Sequence, residues 1–159
     1  MDASMMREAL SEASGALSAG EVPIGAVVAV GDDIIGRGRN EVEARGDATA
    51  HAEMLAISAA SKHAGDWRLE GATIYVTVEP CHMCLGAIYL ARIERVVYGA
   101  RQPRSGACGS VSALHDAGLY GHRLQVEGGL LEEDCLLLLQ DFFTRLRDKE
   151  KQRRDARAG

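Results

Sequence analysis

The sequence predicts an α/β domain of three layers, α/β/α, around a mixed central sheet of about five strands. Two observations carry that prediction. β-branched apolar stretches alternate along the chain with segments of helical periodicity, the pattern of strands interleaved with helices. The 159 residues, 47% of them apolar, are enough for one core, and no repeat or low-complexity linker divides residues 1–159 into more than a single domain.

The elements follow in order. Met1 to Ala19 reads as a helix with Met6, Ala9, Leu10, Ala13 and Leu17 on one face, stopped by Gly20. Val22 to Val30 is apolar and β-branched, Gly31-Asp32-Asp33 is a turn, and Ile34 to Arg39 completes a hairpin. Asn40 to Asp47 reads as a loop. Thr49 to Ala64 is helical through Ala52, Leu55, Ala56 and Ala59. Ala72 to Val78 is a strand ended by Pro80, Cys81 to Arg92 a helix, and Arg95 to Tyr98 a short strand. Gly99 to Gly121 is rich in Gly and Ser, His122 to Glu127 reads as a last strand, and Leu130 to Arg147 as a long helix. That helix carries Glu132-Glu133-Asp134 in its first turn, where the helix dipole favours acids. The order of strands in the sheet does not follow from pattern.

Composition narrows the function classes. No apolar run reaches the length of a membrane span, and Met1 to Leu10 lacks the basic-then-apolar pattern of a signal peptide. A cytoplasmic protein is expected, so the four cysteines are read as thiols and not as two disulfides. Cys81 and Cys84 have metal-ligand spacing, while Cys108 and Cys135 read as ordinary buried thiols. The net charge of −5 is unevenly spread. Thr144 to Gly159 carries seven basic and three acidic residues and is net +4, leaving −9 elsewhere. Two readings of this basic tail, from about residue 148, stand side by side: a phosphate-binding arm, or a solvated, frayed helix end whose cations complement the dipole.

The chemistry lies in His51-Ala52-Glu53 and Pro80-Cys81-His82-Met83-Cys84. Each opens a predicted helix that follows a strand. Helix N-termini at one sheet edge can converge on one ion, and the dipole there favours thiolates. A structural zinc usually has four protein ligands, whereas a catalytic one keeps a position open for water. His51, Cys81 and Cys84 offer three. Glu53, two residues beyond His51 and so off its face of the helix, is a carboxylate left for acid–base work. The main chain at the Cys81 helix start is a candidate to stabilise developing negative charge. His63, His82, His115 and His122 are solitary and read as surface or locally satisfied histidines.

The spacing H-x-E…P-C-x-x-C is the signature of zinc nucleobase deaminases. Beyond it, Glu21-Val-Pro-Ile-Gly-Ala26, Thr49-Ala-His-Ala-Glu53, Leu69 through Cys81, Arg92 through Ala100, Gly106 to Ser110 and Asp141-Phe-Phe143 extend the likeness. From about Met6 to Arg147 the chain resembles the bacterial tRNA-specific adenosine deaminases of the cytidine-deaminase-like superfamily. The resemblance implies that superfamily's fold, one Zn2+ per subunit and a homodimer. It also implies conversion of adenosine to inosine at the wobble position of a tRNA anticodon stem-loop. By the same resemblance Asn40 would hydrogen-bond the target base, with Ile24 and the main chain around Ala52 packed near it. Phe143 and Arg147 would contact neighbouring nucleotides, an aromatic and a cation suited to a splayed single-stranded loop. One of Phe142 and Phe143 is expected in the core. Gln102 stands where the family usually carries an Asp that meets the sugar. Asp47-Ala48 replaces its Asp-Pro, and Gly121 its Asn before His122-Arg123. These departures touch substrate contacts and leave the metal chemistry alone.

Two other classes share part of this pattern. A deaminase of a free nucleobase or nucleoside (guanine, cytosine or cytidine) would use the same zinc and Glu53 but needs no basic arm. A non-catalytic RNA-binding partner subunit could keep the zinc and dispense with Glu53. A pocket that opens toward the C-terminal helix favours the polynucleotide reading over the free-base one.

Overall fold

The computed structural model describes residues 1–159. Helix α1 spans Asp2–Ser18, followed by strands β1, Gly25–Val30, and β2, Asp33–Arg39. A single-turn helix α2, Val42–Arg45, precedes helix α3, Ala52–Ala64. Strand β3 is Ala72–Val78, helix α4 His82–Leu90, strand β4 Arg95–Ala100 and strand β5 Gln125–Glu127. Helix α5, Glu132–Ala158, completes the fold. The five strands lie in the order β2-β1-β3-β4-β5, with β1 antiparallel to both neighbours and β3, β4 and β5 parallel. The expected mixed sheet of three layers is what forms.

Alternation along the strands sorts the core. Ala26, Val28, Ile74, Val76 and Val96 face α3 and α4, while Val27, Ala29, Tyr75 and Val97 face α1 and α5. Two strand glycines let α3 lie against the sheet backbone. A Cβ at Gly36 would sit 2.6 Å from the amide nitrogen of Ala60, and one at Gly38 2.6 Å from that of Ala56. The helix answers with Ala52, Ala56 and Ala60, all buried. This seam carries β2, and with it Asn40 just past its end, directly beside the helix that His51 opens.

Three boundaries differ from expectation. The Asn40–Asp47 loop contains α2, capped by the Glu21 carboxylate, which accepts from the amides of Glu43 (3.2 Å) and Ala44 (2.8 Å). The last strand is only three residues, because Leu119–Gly121 is a short 3-10 turn and pairing begins at Gln125. The C-terminal helix extends past Arg147: α5 runs unbroken to Ala158. From Glu132 onward it holds no Gly or Pro until its cap at Gly159, and Asp141 pairs with Arg145 four residues on at 2.9 Å.

An ion-pair network ties the N-terminus to the sheet. The Arg95 guanidinium donates to both Asp2 oxygens (2.9 and 2.6 Å) and to Glu127 (2.9 Å), and the Tyr75 hydroxyl donates to Asp2 at 2.8 Å. The Arg95 and Tyr75 hydrogen bonds hold the Asp2 carboxyl down at about 2. A carboxylate whose folded pKa is depressed stabilises the fold above its unfolded value, about 4, and loses that contribution as pH falls toward 2. Because Asp2 is partly exposed, screening reduces the effect to about 1 kcal/mol. Asp2→Asn is therefore expected to be about 1 kcal/mol less stable than the parent at pH 6, with the gap narrowed to about a third at about pH 2.5 and closing below about pH 2. Urea titrations of both proteins across that range measure it.

Candidate active site

The C-terminal ends of the parallel strands hold the site. β3 delivers Glu79, Pro80 and Cys81, with Cys81 as the N-cap of α4 and Pro80 just ahead of it. His51 is the N-cap of α3 in extended conformation, which turns its ring out of the helix and toward α4. His51 Nδ1 lies 3.6 Å from Cys81 Sγ and 3.4 Å from Cys84 Sγ, and the three atoms all fall within 4.8 Å of one another. Tetrahedral zinc with Zn–S of about 2.3 Å and Zn–N of about 2.0–2.1 Å requires an N···S edge of about 3.5 Å. The donor set and its spacing therefore fit a zinc ion with one position left for a small ligand.

Thiol electrostatics agree with a metal-binding set. The Cys84 thiol donates to Cys81 and, together with His51, pulls the Cys81 thiol down to about 4. Donating to Cys81, and burial, push the Cys84 thiol up. Cys81 thus offers a thiolate at neutral pH.

Glu53 lies in the first turn of α3, 4% exposed. Burial pushes its carboxyl up to about 7, and the Cys81 charge adds to the rise. A carboxyl at that value can both accept and release a proton near neutrality.

A cavity of about 640 Å³ opens beside His51 and Glu53. Five of the six sequence-predicted substrate residues line it: Ile24, Asn40, Ala52, Gln102 and Phe143. Asn40 is 8% exposed, and its side chain makes only long bonds, to the Val22 carbonyl and from the Val42 amide, both 3.4 Å. The amide thus keeps capacity for a ligand. Gln102 accepts from the Arg104 amide through its carbonyl (3.3 Å), leaving its side-chain NH2 to donate. The sixth residue, Arg147, is exposed one turn further along α5 and does not line the cavity.

Neither Phe142 nor Phe143 enters the core. Phe142 is half-buried and Phe143 is 47% exposed, their rings edge to face at 5.3 Å. Both stand in the cavity wall with Leu146, because α5 crosses the mouth of the site after leaving the sheet. Among the solitary histidines, His82 Nε2 meets Ser112 Oγ at 2.7 Å and His122 Nε2 meets the Ile93 carbonyl at 2.7 Å, local partners as expected. All four cysteines are free thiols, Cys108 and Cys135 buried.

Two residues escaped the sequence reading. Glu79 is buried, and its carboxylate accepts from the amides of Gln102 (3.1 Å), Cys108 (2.9 Å) and Ser110 (3.2 Å) and from the Ser110 hydroxyl. It holds the loop bearing Gln102 against the start of α4. Glu21 does the same for α2 and the cavity rim. The available signal was an acid directly bordering an apolar stretch, where a buried carboxylate needs donors.

Comparison with known proteins agrees with this geometry. The MafB19-like deaminase family matches residues 1–147. The tRNA-specific adenosine deaminase of Bacillus subtilis (strain 168) is 49% identical over 146 residues, 92% of this chain and 91% of that protein. A solved structure from work on A-to-I editing by tRNA:A34 deaminases at the wobble position superposes with a TM-score of 0.78. It is 41% identical and covers 85% of this chain and 98% of its own. A guanine deaminase from Bacillus subtilis is also 41% identical, but covers 62% of this chain and 63% of its own, with a TM-score of 0.59.

Proposed function

The chain belongs to the MafB19-like deaminase family, and on that premise we propose that it converts adenosine to inosine at the wobble position of a tRNA anticodon loop, as a zinc-dependent hydrolase. The single observation that carries the polynucleotide reading is the wall of the cavity. α5 borders it through Phe142, Phe143 and Leu146 without sealing it, since Phe143 remains 47% exposed. A flanking nucleotide can stack on that ring while its neighbour enters the cavity. The activities of the Bacillus subtilis relative and of the tRNA:A34 deaminase structure support the same substrate.

His51 Nδ1, Cys81 Sγ and Cys84 Sγ would hold one zinc per subunit. When bound, the ion supplies a water acidified to a pKa near 7, a nucleophile at neutral pH. Glu53 takes a proton from the attacking water and passes it to ring nitrogen N1 as the new C–O bond forms at C6. It then carries the remaining hydroxyl proton to the exocyclic amine, the C6–N bond breaks, and ammonia leaves. Asn40 binds an edge of the base, Ile24 and the Ala52 main chain flank the ring, and the Gln102 NH2 donates to the ribose hydroxyl. Arg147 contacts the backbone outside the cavity.

The enzyme works as a homodimer. Met83, Gly86, Ala87 and Leu90 form an apolar stripe at helical spacing on the outer side of α4, and Leu90 is 52% exposed in the single chain. No helix is long and apolar enough to cross a membrane, and a tRNA substrate places the work in the cytoplasm.

The test is inosine formation by zinc-loaded protein on an anticodon stem-loop with adenosine at the wobble position, beside free adenosine, cytidine and guanine. Conversion of the stem-loop alone is the expected result. Turnover of a free base or nucleoside with a silent stem-loop would replace the substrate assignment and keep the zinc chemistry.

A further inference from the structure

The outer half of α5 sorts its charges by face. Taking Phe143 as the centre of one face and 100° per residue, Arg147, Lys151, Arg153, Arg154 and Arg157 all fall within 80° of it, accompanied by the single acid Glu150. The opposite face mixes Arg145 and Lys149 with Asp141, Asp148 and Asp155. The ion pair on α5, Arg145 with Asp141 at 2.9 Å, belongs to that opposite face. The five cations of the Phe143 face form no ion pair, and every residue from Thr144 to Gly159 is exposed. Arg153, Arg154 and Arg157 border one shallow hollow with Glu150.

A helix end that only needed solvation or dipole compensation would have no reason to place five of seven cations on one side. That side begins at the ring in the cavity wall and runs outward for fourteen residues, about 21 Å at 1.5 Å per residue. The matched family span ends at residue 147, so four of the five cations lie outside it. We propose that this face is an arm that grips the phosphate backbone of a structured RNA at a distance from the reacting nucleotide. The occupant is a double-helical stem adjoining the target loop. The inference rests on the tRNA reading above for the identity of that RNA. It adds a second contact surface that contributes affinity and places no group on the reacting base.

The test combines Lys151→Gln, Arg154→Gln and Arg157→Gln in one protein, with Lys149→Gln as the opposite-face control. Fluorescence anisotropy with a labelled anticodon stem-loop measures binding over a range of salt concentrations. Inosine formation on the same RNA measures turnover. The triple variant is expected to bind about tenfold more weakly, with the slope of log affinity against log salt reduced by about 2 to 3 for three lost phosphate contacts. Its kcat should match the parent, and so should the control in every respect. A triple variant with parental affinity and salt slope overturns the arm, even where the parent deaminates the stem-loop. A parent that binds the stem-loop through these residues but forms no inosine upholds the arm and overturns the tRNA deaminase reading. A parent with no affinity for the stem-loop overturns both.

Discussion

Glu53→Gln is expected to lower kcat for deamination about 10³-fold, or about 4 kcal/mol of barrier, while the protein keeps its zinc and its fold. The substitution preserves volume at a buried position and removes the one titratable group placed to move protons between water and ring. His51, Cys81 and Cys84 are untouched, so metal content measured on the purified variant should equal that of the parent. The variant should also melt no lower than the parent. Glu53 is 4% exposed, and burial, with the Cys81 charge adding to it, pushes its carboxyl up to about 7. A neutral amide avoids that desolvation cost. A variant that retains zinc and turns over within tenfold of the parent would remove Glu53 from the mechanism. It would also revive the reading of this chain as a fold that binds RNA without catalysis.

Cys84→Ala should abolish both metal binding and activity. Cys84 is fully buried and is one of only three proposed ligands, with His51 Nδ1 3.4 Å from its sulfur. Losing it leaves two donors and no basis for tight zinc. Zinc content is expected to fall from about one per chain to below about 0.1, with activity down by more than about 10³-fold, since the ion is what activates the water. Stability gives an independent readout. A ligand present at about 1,000 times its Kd stabilises by about 4 kcal/mol, which for a chain of this size is about 8–16 °C in Tm. That difference between zinc-loaded and chelated protein should appear in the parent and vanish in Cys84→Ala. A variant that still holds one zinc would show that a fourth residue belongs to the set.

The metal set and its carboxylate were legible from residue type and spacing. H-A-E and P-C-x-x-C each sit at a strand-to-helix transition, and that punctuation is written in Pro80 and in the switch from period two to period 3.6. The core strands were legible for the same reason: Val27 and Tyr75 point to one layer and Val28 and Ile74 to the other. The strand order was not. Placing β3 between β1 and β4 depends on which faces pack, and many topologies share one pattern. The helix α2 was hidden because its stability comes from Glu21, more than twenty residues away, and not from local propensity. Glu79 was hidden likewise, since its four donors lie on a loop whose course follows from tertiary contacts. The continuation of α5 to Ala158 was underread because charge-dense sequence serves a helix and a solvated tail equally well. The nucleotide contact expected of Phe143 came from resemblance, and core burial of one of the two phenylalanines did not follow.

The seam between Gly36, Gly38 and the alanines of α3 sets the tolerance of the whole site. At Gly36 and Gly38 a Cβ would lie 2.3 and 2.2 Å from carbonyl oxygens of the helix, so the separation there is set by contact between backbones. Asn40, at the end of that strand, and His51, at the start of that helix, therefore keep their spacing without depending on rotamer populations, which broaden on warming. The distance between the amide proposed to bind the base and the imidazole proposed to bind the metal should drift little with temperature. Adaptation of this enzyme to a colder or hotter setting would then have to act elsewhere, in the loop held by Glu79 or along α5, where side chains still have room to move.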